Sequence, residues 1–220
     1  MKTIEHFGVK LISRSKGFKL TRDEFAIINT KPSLPYSESL ARRNGYVDEQ
    51  GSAYSDSWCA EYRELCLKNF DFNMEYFSKL DKAAFDDALS SFLSQYKKFV
   101  KVTNLNNFNG VEGYYIMVLD EYKQVYIGKT DNIKKRIMTH WSDTKSFDRT
   151  LFPMYAWDKS VFSIDFFRAL DTTRIFAWKK RQDVGIEAEL ISNFPSQFCT
   201  NRIGGDVNNL LLGILTRHQR

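Results

Sequence analysis

Residues 113–118 read GYYIMV, residues 125–130 read VYIGKT and residues 132–136 read NIKKR, and these three stretches decide the fold. Apolar residues alternate in the first two, which is typical of β-strands, and the polar residues between them favour a tight turn. The two stretches therefore predict a hairpin. A helix is expected directly after it, with Thr130 or Asp131 as its N-cap.

The predicted helix has a clear apolar side. Ile133, Ile137 and Trp141 recur at helical spacing and form a stripe that should be buried. Arg136 and His140 are separated by one helical turn and lie on a neighbouring face. The helix should therefore present a basic pair beside the hairpin.

These residues resemble the motifs of the GIY-YIG nuclease family, in which two short strands carry the name motifs and the next helix carries a catalytic arginine. The spacing is the specific part, because Tyr126 follows Tyr115 by eleven positions and Arg136 follows Gly128 by eight. Tyr114 would also satisfy a loose form of the first motif, but it points to the opposite face of the strand. We therefore identify Tyr115 as the motif tyrosine.

The resemblance extends over about residues 113–202 and implies a metal-binding glutamate on a later helix, followed by an asparagine. Glu187 and Glu189 are both available for the metal. Three apolar residues follow Glu187 at helical spacing, so Glu187 shares the inward face and is the predicted ligand. Pro195 should end this helix, and Asn201 then falls where the family's asparagine is expected.

The resemblance implies Mg²⁺-dependent hydrolysis of phosphodiester bonds in DNA. This reaction needs a proton acceptor, neutralisation of negative charge and stabilisation of the leaving oxygen. Arg136 supplies a fork of donors that fits phosphate oxygens and stays charged. Glu187 can hold Mg²⁺, or another divalent cation such as Mn²⁺, with the substrate phosphate completing the ligand set.

Tyr115 is the expected general base of the site. A tyrosine has an ordinary pKa of about 10 and must lose its proton to act in this way. Arg136, Lys129 and the metal are expected to lower the pKa of Tyr115 by favouring its phenolate form. Tyr126 and His140 would then orient water or phosphate, and the assignment of the base between the two tyrosines stays open.

The charge of the chain agrees with a phosphate-binding protein but would not identify one alone. The chain has 32 basic and 27 acidic residues, a net charge of +5, and most of the excess falls after residue 112. A basic surface near the site would attract DNA. The predicted contacts with the DNA backbone are Lys129, Lys134, Lys135, Lys179, Lys180 and Arg181.

The expected fold class is α+β, with a small antiparallel sheet flanked by helices preceded by a helix-rich N-terminal region. Turn-forming asparagines crowd residues 104–110 and mark the predicted boundary. This gives an accessory region at residues 1–109 and a GIY-YIG-like catalytic domain at residues 110–220. The accessory region either recognises the target or completes the core.

Sequence patterns predict further elements on both sides of this boundary. Residues 9–12 and 17–20 suggest a pair of short strands. Residues 57–69 and 82–99 have the spacing of amphipathic helices. Residues 160–170 alternate in a manner that predicts a half-buried strand.

Cysteine usage and hydropathy favour a cytoplasmic protein without a membrane partner. Cys59, Cys66 and Cys199 are odd in number and lack metal-ligand spacing, so we expect thiols rather than disulfides. The amino terminus lacks the apolar core of a signal peptide, and no run approaches the length of a membrane span.

Within the family, a sequence-specific restriction enzyme acting on double-stranded DNA fits best, because the chain is short and carries one added region. A homing or phage endonuclease, a structure-selective repair nuclease and a non-catalytic DNA-binding protein on the same fold stay open. One site cuts one strand at a time, so double-strand cleavage would need a homodimer or two successive nicks. A cognate DNA methyltransferase would accompany a restriction enzyme.

Overall fold

The computed structural model describes residues 2–13, 17–28, 50, 52–142 and 162–201. Within these residues the fold is mixed α+β, with a two-stranded and a four-stranded antiparallel sheet and helices packed against them. The predicted fold class is therefore confirmed at this level.

The described residues form six strands, five α-helices and several short 3₁₀ turns. The strands are β1 (Lys2–His6), β2 (Val9–Ser13), β3 (Val100–Lys101), β4 (Gly113–Leu119), β5 (Gln124–Thr130) and β6 (Arg174–Lys179). The helices are α1 (Arg22–Ile28), α2 (Asp56–Lys79), α3 (Lys82–Gln95), α4 (Ile133–Ser142) and α5 (Ile186–Ser192). Short 3₁₀ turns lie at Leu105–Phe108, Asp120–Tyr122, Ile164–Phe166, Ala169–Asp171 and Ser196–Phe198.

The larger sheet is built around the predicted hairpin, which is confirmed. Its strand order is β3–β6–β4–β5, and every neighbouring pair is antiparallel. Tyr115 on β4 lies opposite Gly128 on β5 and opposite Ala177 on β6. The ring of Tyr115 therefore has two small residues as its cross-strand neighbours.

The two faces of β4 belong to different cores because successive side chains of a strand alternate. Tyr115 and Met117 pack in a core with residues of α1, α2 and α4. Tyr114 and Ile116 pack in a second core with residues of α3 and α5. The prediction that Tyr114 and Tyr115 point to opposite faces is confirmed.

The N-terminal part of the chain shares these cores with the predicted catalytic part. β3 precedes the predicted boundary and is an outer strand of the larger sheet. Phe7, at the tip of the β1–β2 hairpin, stacks with Trp141 of α4 at 6.4 Å between ring centroids. The Phe7 carbonyl accepts a hydrogen bond from the Leu105 backbone N–H at 2.9 Å. The described residues before the predicted boundary thus contribute to the same cores, while the boundary itself and a role in target recognition stay predictions.

The strand predicted at residues 160–170 is wrong for residues 162–170, which the structure describes. This segment instead forms two 3₁₀ turns, Ile164–Phe166 and Ala169–Asp171. Both alternating sets of its side chains are buried from Phe162 to Ala169, including the polar residues Ser163 and Asp165. The alternation in the sequence therefore does not mark one buried and one solvated face.

Other N-terminal elements differ from prediction in their pairing and ends. The predicted helices are confirmed, but α2 continues to Lys79 and α3 ends at Gln95. β2 pairs with β1, so the predicted pairing of residues 9–12 with residues 17–20 is wrong. The loop between β1 and β2 is only two residues long, and its glycine takes the positive φ that a tight hairpin requires.

Two further observations concern the cysteines and the helices. Cys59, Cys66 and Cys199 are buried and form no disulfide. Burial raises the pKa of the Cys66 thiol, which keeps it protonated and unreactive. Among the residues described, no helix combines the length and apolar character that crossing a bilayer would take.

Candidate active site

Helix α4 brings Arg136 and His140 to the face of the hairpin that carries Tyr115. Its cap is Asn132, whose Oδ1 accepts a hydrogen bond from the backbone N–H three residues later at 3.0 Å. The helix begins at Ile133, so its cap is Asn132, and the prediction of a cap at residue 130 or 131 is wrong. The predicted apolar stripe of α4 is buried, as expected.

Four of the predicted site residues come together on this face. Ring centroids lie 6.1 Å apart for Tyr115 and Tyr126, 6.0 Å for Tyr115 and His140, and 5.0 Å for Tyr126 and His140. Arg136 lies close enough to both tyrosine hydroxyls for its positive charge to act on them, and this charge favours lower pKa values for both. Their correspondence to the GIY-YIG motifs and their catalytic roles stay predictions.

A hydrogen-bonded chain leads from Tyr115 into the protein. The Tyr115 hydroxyl and His140 Nε2 are 2.7 Å apart, and His140 Nδ1 and Asp165 Oδ1 are also 2.7 Å apart. All three residues are buried. Asp165 was missed from the sequence because it lies 25 positions from His140, in a segment whose alternation predicts a strand. The sequence holds no local signal for this pair.

We call Tyr115, Tyr126, Arg136 and His140 the cluster, and its members differ in their access to solvent. Tyr115 has 0% of its surface exposed, Tyr126 is half-buried and Arg136 is exposed. A phosphate arriving from solvent would therefore meet Arg136 and Tyr126 before Tyr115. The cluster has one open side and one buried side.

Burial dominates the acid–base properties of the two tyrosines. It raises the pKa of Tyr115 well above its ordinary value, with a further contribution from Tyr126, although Arg136 acts in the opposite direction. Burial likewise raises the pKa of Tyr126 to about 12. Arg136 therefore acts on the pKa of Tyr115 in the expected direction, but burial outweighs it, and the expectation of a lowered pKa is wrong for the protein's own groups taken together.

The same proximity keeps Arg136 positively charged. Burial lowers the pKa of the guanidinium, but its interactions with Tyr115 and Tyr126 outweigh that effect and raise it overall. Arg136 is therefore a cation at any working pH, next to two hydroxyls that stay protonated near neutrality.

Steric contacts explain why the two motifs carry glycine at positions 113 and 128. A Cβ at Gly128 would lie 2.6 Å from the Tyr115 hydroxyl oxygen and 2.7 Å from its Cζ atom. A Cβ at Gly113 would collide with the backbone carbonyl oxygen of Trp178 on the neighbouring strand. Gly128 thus lets the Tyr115 ring lie across β5, and Gly113 lets β4 and β6 approach each other.

We expect Gly128→Ala to impair the site more than it impairs the fold. The added methyl group should displace the Tyr115 ring, and a misplacement of about 1 Å can reduce a catalytic rate by roughly 100-fold. The cost in the free energy of unfolding should be about 1–3 kcal/mol, as for other overpacked sites. Cleavage assays and thermal melts would measure the two effects separately.

Gly17→Ala is the matched control for this prediction. A Cβ at Gly17 would contact only the flexible carboxylate end of Glu24, far from the two tyrosines in the chain. Its cleavage rate should stay near wild type. If Gly128→Ala cleaved DNA as fast as the wild type, the cleavage rate would not depend on the position of the Tyr115 hydroxyl.

Glu187, rather than Glu189, approaches the cluster from α5. The Glu187 side chain is 14% exposed, and its Oε2 lies 3.8 Å from Lys129 Nζ. Its negative charge also acts on both tyrosine hydroxyls, adding to the effect of burial in raising their pKa values. Glu189 is exposed and accepts a hydrogen bond from the Tyr96 hydroxyl at 3.1 Å on the far side.

The ligand set around Glu187 fits only a cation that brings most of its own ligands. Among the residues that the structure describes, no group of three or more His, Cys, Asp or Glu is arranged to bind a metal. Mg²⁺ keeps several waters and is often held by one carboxylate together with substrate phosphates. Glu187 is therefore the residue that would hold it.

Asn201 supports β5 from its outer edge. Its Oδ1 accepts a hydrogen bond from the Ile127 backbone N–H at 3.0 Å, and its Nδ2 donates to the Ile127 carbonyl at 2.7 Å. The Asn201 side chain is buried. These bonds fix the strand segment between Tyr126 and Gly128, which is a structural contribution. A direct catalytic part for Asn201 stays a prediction.

Two of the predicted DNA contacts flank the 3₁₀ turn Leu105–Phe108. Lys134 Nζ donates a hydrogen bond to Asn106 Oδ1 at 2.7 Å. Lys179 is exposed, and its Nζ lies 5.0 Å from the centroid of the Phe108 ring. Both cations are therefore held near one end of the sheet.

The other predicted contacts are distributed around the site. Lys135 and Arg181 are exposed. Lys180 forms an ion pair with Asp183, and Lys129 lies beside Glu187. Contact of these six cations with DNA stays a prediction, which charge and exposure make reasonable for Lys135, Lys179 and Arg181 in particular.

Comparisons of the chain with protein-family models, with curated proteins and with solved structures gave no significant match. A relation to the GIY-YIG family therefore stays a prediction that depends on the spacing of the motifs.

Proposed function

We propose that this protein is a Mg²⁺-dependent DNA endonuclease of the GIY-YIG type. The observation that carries the proposal is the convergence of Tyr115, Tyr126, Arg136 and His140 on one face of the sheet. Packing alone does not require a guanidinium to lie near two tyrosine hydroxyls on which a carboxylate, Glu187, also acts by its charge. Hydrolysis of a phosphodiester uses this combination of groups.

Each group has a definite part in the proposed reaction. Arg136, which is exposed and permanently charged, binds the phosphate and neutralises the charge that builds on it. A tyrosine takes a proton from the attacking water. Mg²⁺ bound at Glu187 would neutralise negative charge on the phosphate and on the leaving oxygen.

Tyr115 is the proposed base because its hydroxyl has a proton acceptor 2.7 Å away in His140 Nε2. Tyr126 has better access to solvent and is the alternative. Both tyrosines are neutral near pH 7, since burial raises both pKa values. A base of this kind therefore needs a neighbour that receives its proton, and the shortest such contact belongs to Tyr115.

Within this class we propose a cytoplasmic, sequence-specific restriction enzyme that acts on double-stranded DNA, with residues 1–109 contributing to target recognition. Double-strand cleavage would then require a homodimer or two successive nicks. A cognate DNA methyltransferase would protect the host DNA. A homing or phage nuclease would also cut unbranched DNA, whereas a structure-selective nuclease would cut branched DNA only.

Cleavage of supercoiled plasmid and of branched oligonucleotides tests the proposal. We expect nicked or linear products with Mg²⁺ or Mn²⁺ and none with a chelator. Protein purified in parallel with Glu187 replaced excludes a contaminating nuclease. Gel-shift binding without cleavage under every metal would instead indicate a non-catalytic DNA-binding protein.

Tyr115→Phe should slow the chemical step by roughly two to four orders of magnitude, which is the usual contribution of a general base. The ring is retained, so the packing opposite Gly128 and the fold should survive. Tyr126→Phe is the matched variant and should cost less. Single-turnover cleavage would measure both rates. A larger defect in Tyr126→Phe would move the base to the second motif, and mild effects in both would exclude a tyrosine base.

A further inference from the structure

Asp165 is a buried carboxylate that contacts His140 of the cluster and has no part in the proposed function so far. It is 8% exposed, and its Oδ1 lies 2.7 Å from His140 Nδ1. Ser163 Oγ donates to its other carboxylate oxygen at 3.3 Å, and Arg168 donates to its backbone carbonyl at 3.2 Å. The turn Ile164–Phe166 therefore holds Asp165 firmly against the histidine.

The chemistry of Asp165 sets the direction of the hydrogen bonds made by His140. An ionised carboxylate can only accept, so His140 donates from Nδ1 to Asp165. In a neutral imidazole the other ring nitrogen, Nε2, is the acceptor, and the Tyr115 hydroxyl donates to it. The protons of these two hydrogen bonds point from Tyr115 toward Asp165.

We propose that Asp165 is a positioning residue that fixes His140 in the Nδ1–H tautomer, so that His140 Nε2 can receive the proton of Tyr115 during catalysis. The inference rests on the proposed function. In the step, the water oxygen bonds to phosphorus while the bond from phosphorus to the leaving oxygen breaks. The water proton passes to the Tyr115 oxygen, the Tyr115 hydroxyl proton passes to His140 Nε2, and the leaving oxygen takes a proton from solvent.

This arrangement resolves the difficulty of a buried tyrosine acting as a base. Burial raises the pKa of Tyr115 well above its ordinary value, so a standing phenolate would be rare at neutral pH. A hydroxyl that hands its own proton to His140 as it takes one from water never has to carry a full charge. Asp165 in turn stabilises the imidazolium that forms.

Asp165→Asn tests the proposal with little change in shape. The asparagine amide can donate to His140 Nδ1, which would force the proton onto Nε2 and remove the acceptor of Tyr115. We expect the single-turnover cleavage rate to fall by roughly 10²- to 10⁴-fold, as when a histidine base is held in the wrong tautomer. Gel-shift affinity for the same DNA should stay near wild type.

Asp171→Asn is the matched control. Asp171 is a buried carboxylate in the same segment, but its partners are the Leu20 and Arg168 backbone N–H groups and the Tyr122 hydroxyl. We expect this variant to lower the melting temperature while its cleavage rate below that temperature stays near wild type. A similar loss of rate in both variants would reduce Asp165 to a structural residue.

The histidine tautomers give a readout that needs no DNA. The chain has three histidines, so ¹⁵N-histidine NMR spectra are simple to assign with His140→Gln. His6 Nε2 donates to the Thr172 carbonyl at 2.8 Å and provides an internal reference for the Nε2–H tautomer. We expect wild-type His140 to show the Nδ1–H tautomer and Asp165→Asn to reverse it.

The outcomes separate the two proposals. An Nε2–H tautomer at wild-type His140 would overturn the inference even if Asp165→Asn failed to fold. A slow Asp165→Asn enzyme with an unchanged tautomer would also overturn it. The expected tautomers in a wild-type protein that cleaves no DNA would support the positioning of His140 by Asp165 and overturn the proposed nuclease function.

Discussion

Glu187→Ala is expected to abolish DNA cleavage and to leave DNA binding largely intact. The substitution removes the residue that would hold Mg²⁺, and metal stabilisation of transition-state charge amounts to several kcal/mol, or about 10³-fold or more in rate. It also removes a negative charge that repels the approaching phosphate. Binding should therefore persist or tighten.

Glu189→Ala is the matched control because Glu189 lies on the same helix, two residues away, and faces Tyr96 instead of the tyrosine pair. Plasmid cleavage in Mg²⁺ and gel shifts without Mg²⁺ would measure the two properties of each variant. We expect Glu189→Ala to cut at close to the wild-type rate. If Glu187→Ala cut DNA and Glu189→Ala did not, the assignment of the metal ligand would be reversed.

The hairpin and its two faces could be predicted because they follow from the local period of the chain. A period of two places Tyr114 and Tyr115 in different cores, whatever the rest of the protein does. The helical period likewise fixes the buried stripe of α4 and the separation of Glu187 from Glu189. Local geometry thus supplied most of the candidate site.

Asp165 could not be predicted, because its function depends on a contact between distant segments. The alternation around it suggests a strand, but phenylalanines on both sides of the segment are buried and the backbone forms 3₁₀ turns. Alternation predicts a strand with one buried face, and it does not distinguish such a strand from a segment that is buried on both sides. Only the fold brings Asp165 to His140.

The upward shift in the pKa of Tyr115 could not be predicted from the sequence, for a related physical reason. Charge is visible in the sequence, so Arg136 suggested a lowered pKa. The extent of burial is not visible, and at Tyr115 it is complete. Desolvation of a buried phenolate outweighs one neighbouring charge that is itself partly solvated. The need for an additional proton acceptor follows from the structure alone.

Arg136→Lys should fail nearly as badly as Arg136→Ala, although it keeps the positive charge. The guanidinium lies near the hydroxyls of Tyr115 and Tyr126, and the Arg136 side chain is exposed to an approaching phosphate. A planar fork with five N–H donors can bind two phosphate oxygens at once, whereas an ammonium is a compact point charge. We expect both variants to lose roughly 10²- to 10³-fold in single-turnover rate, the usual cost of removing a donor that stabilises transition-state charge.

Lys135→Ala separates this effect of geometry from an effect of charge. Lys135 is the exposed cation next to Arg136 on α4, and its backbone helps to define the cap of that helix without its side chain. Its loss should weaken DNA binding modestly, more so at low salt, with little change in the rate of the bound complex. Arg136→Lys should do the reverse, because its charge still attracts DNA but the two-pronged contact with phosphate oxygens is lost. A lysine variant that cuts at the wild-type rate would reduce Arg136 to a point charge.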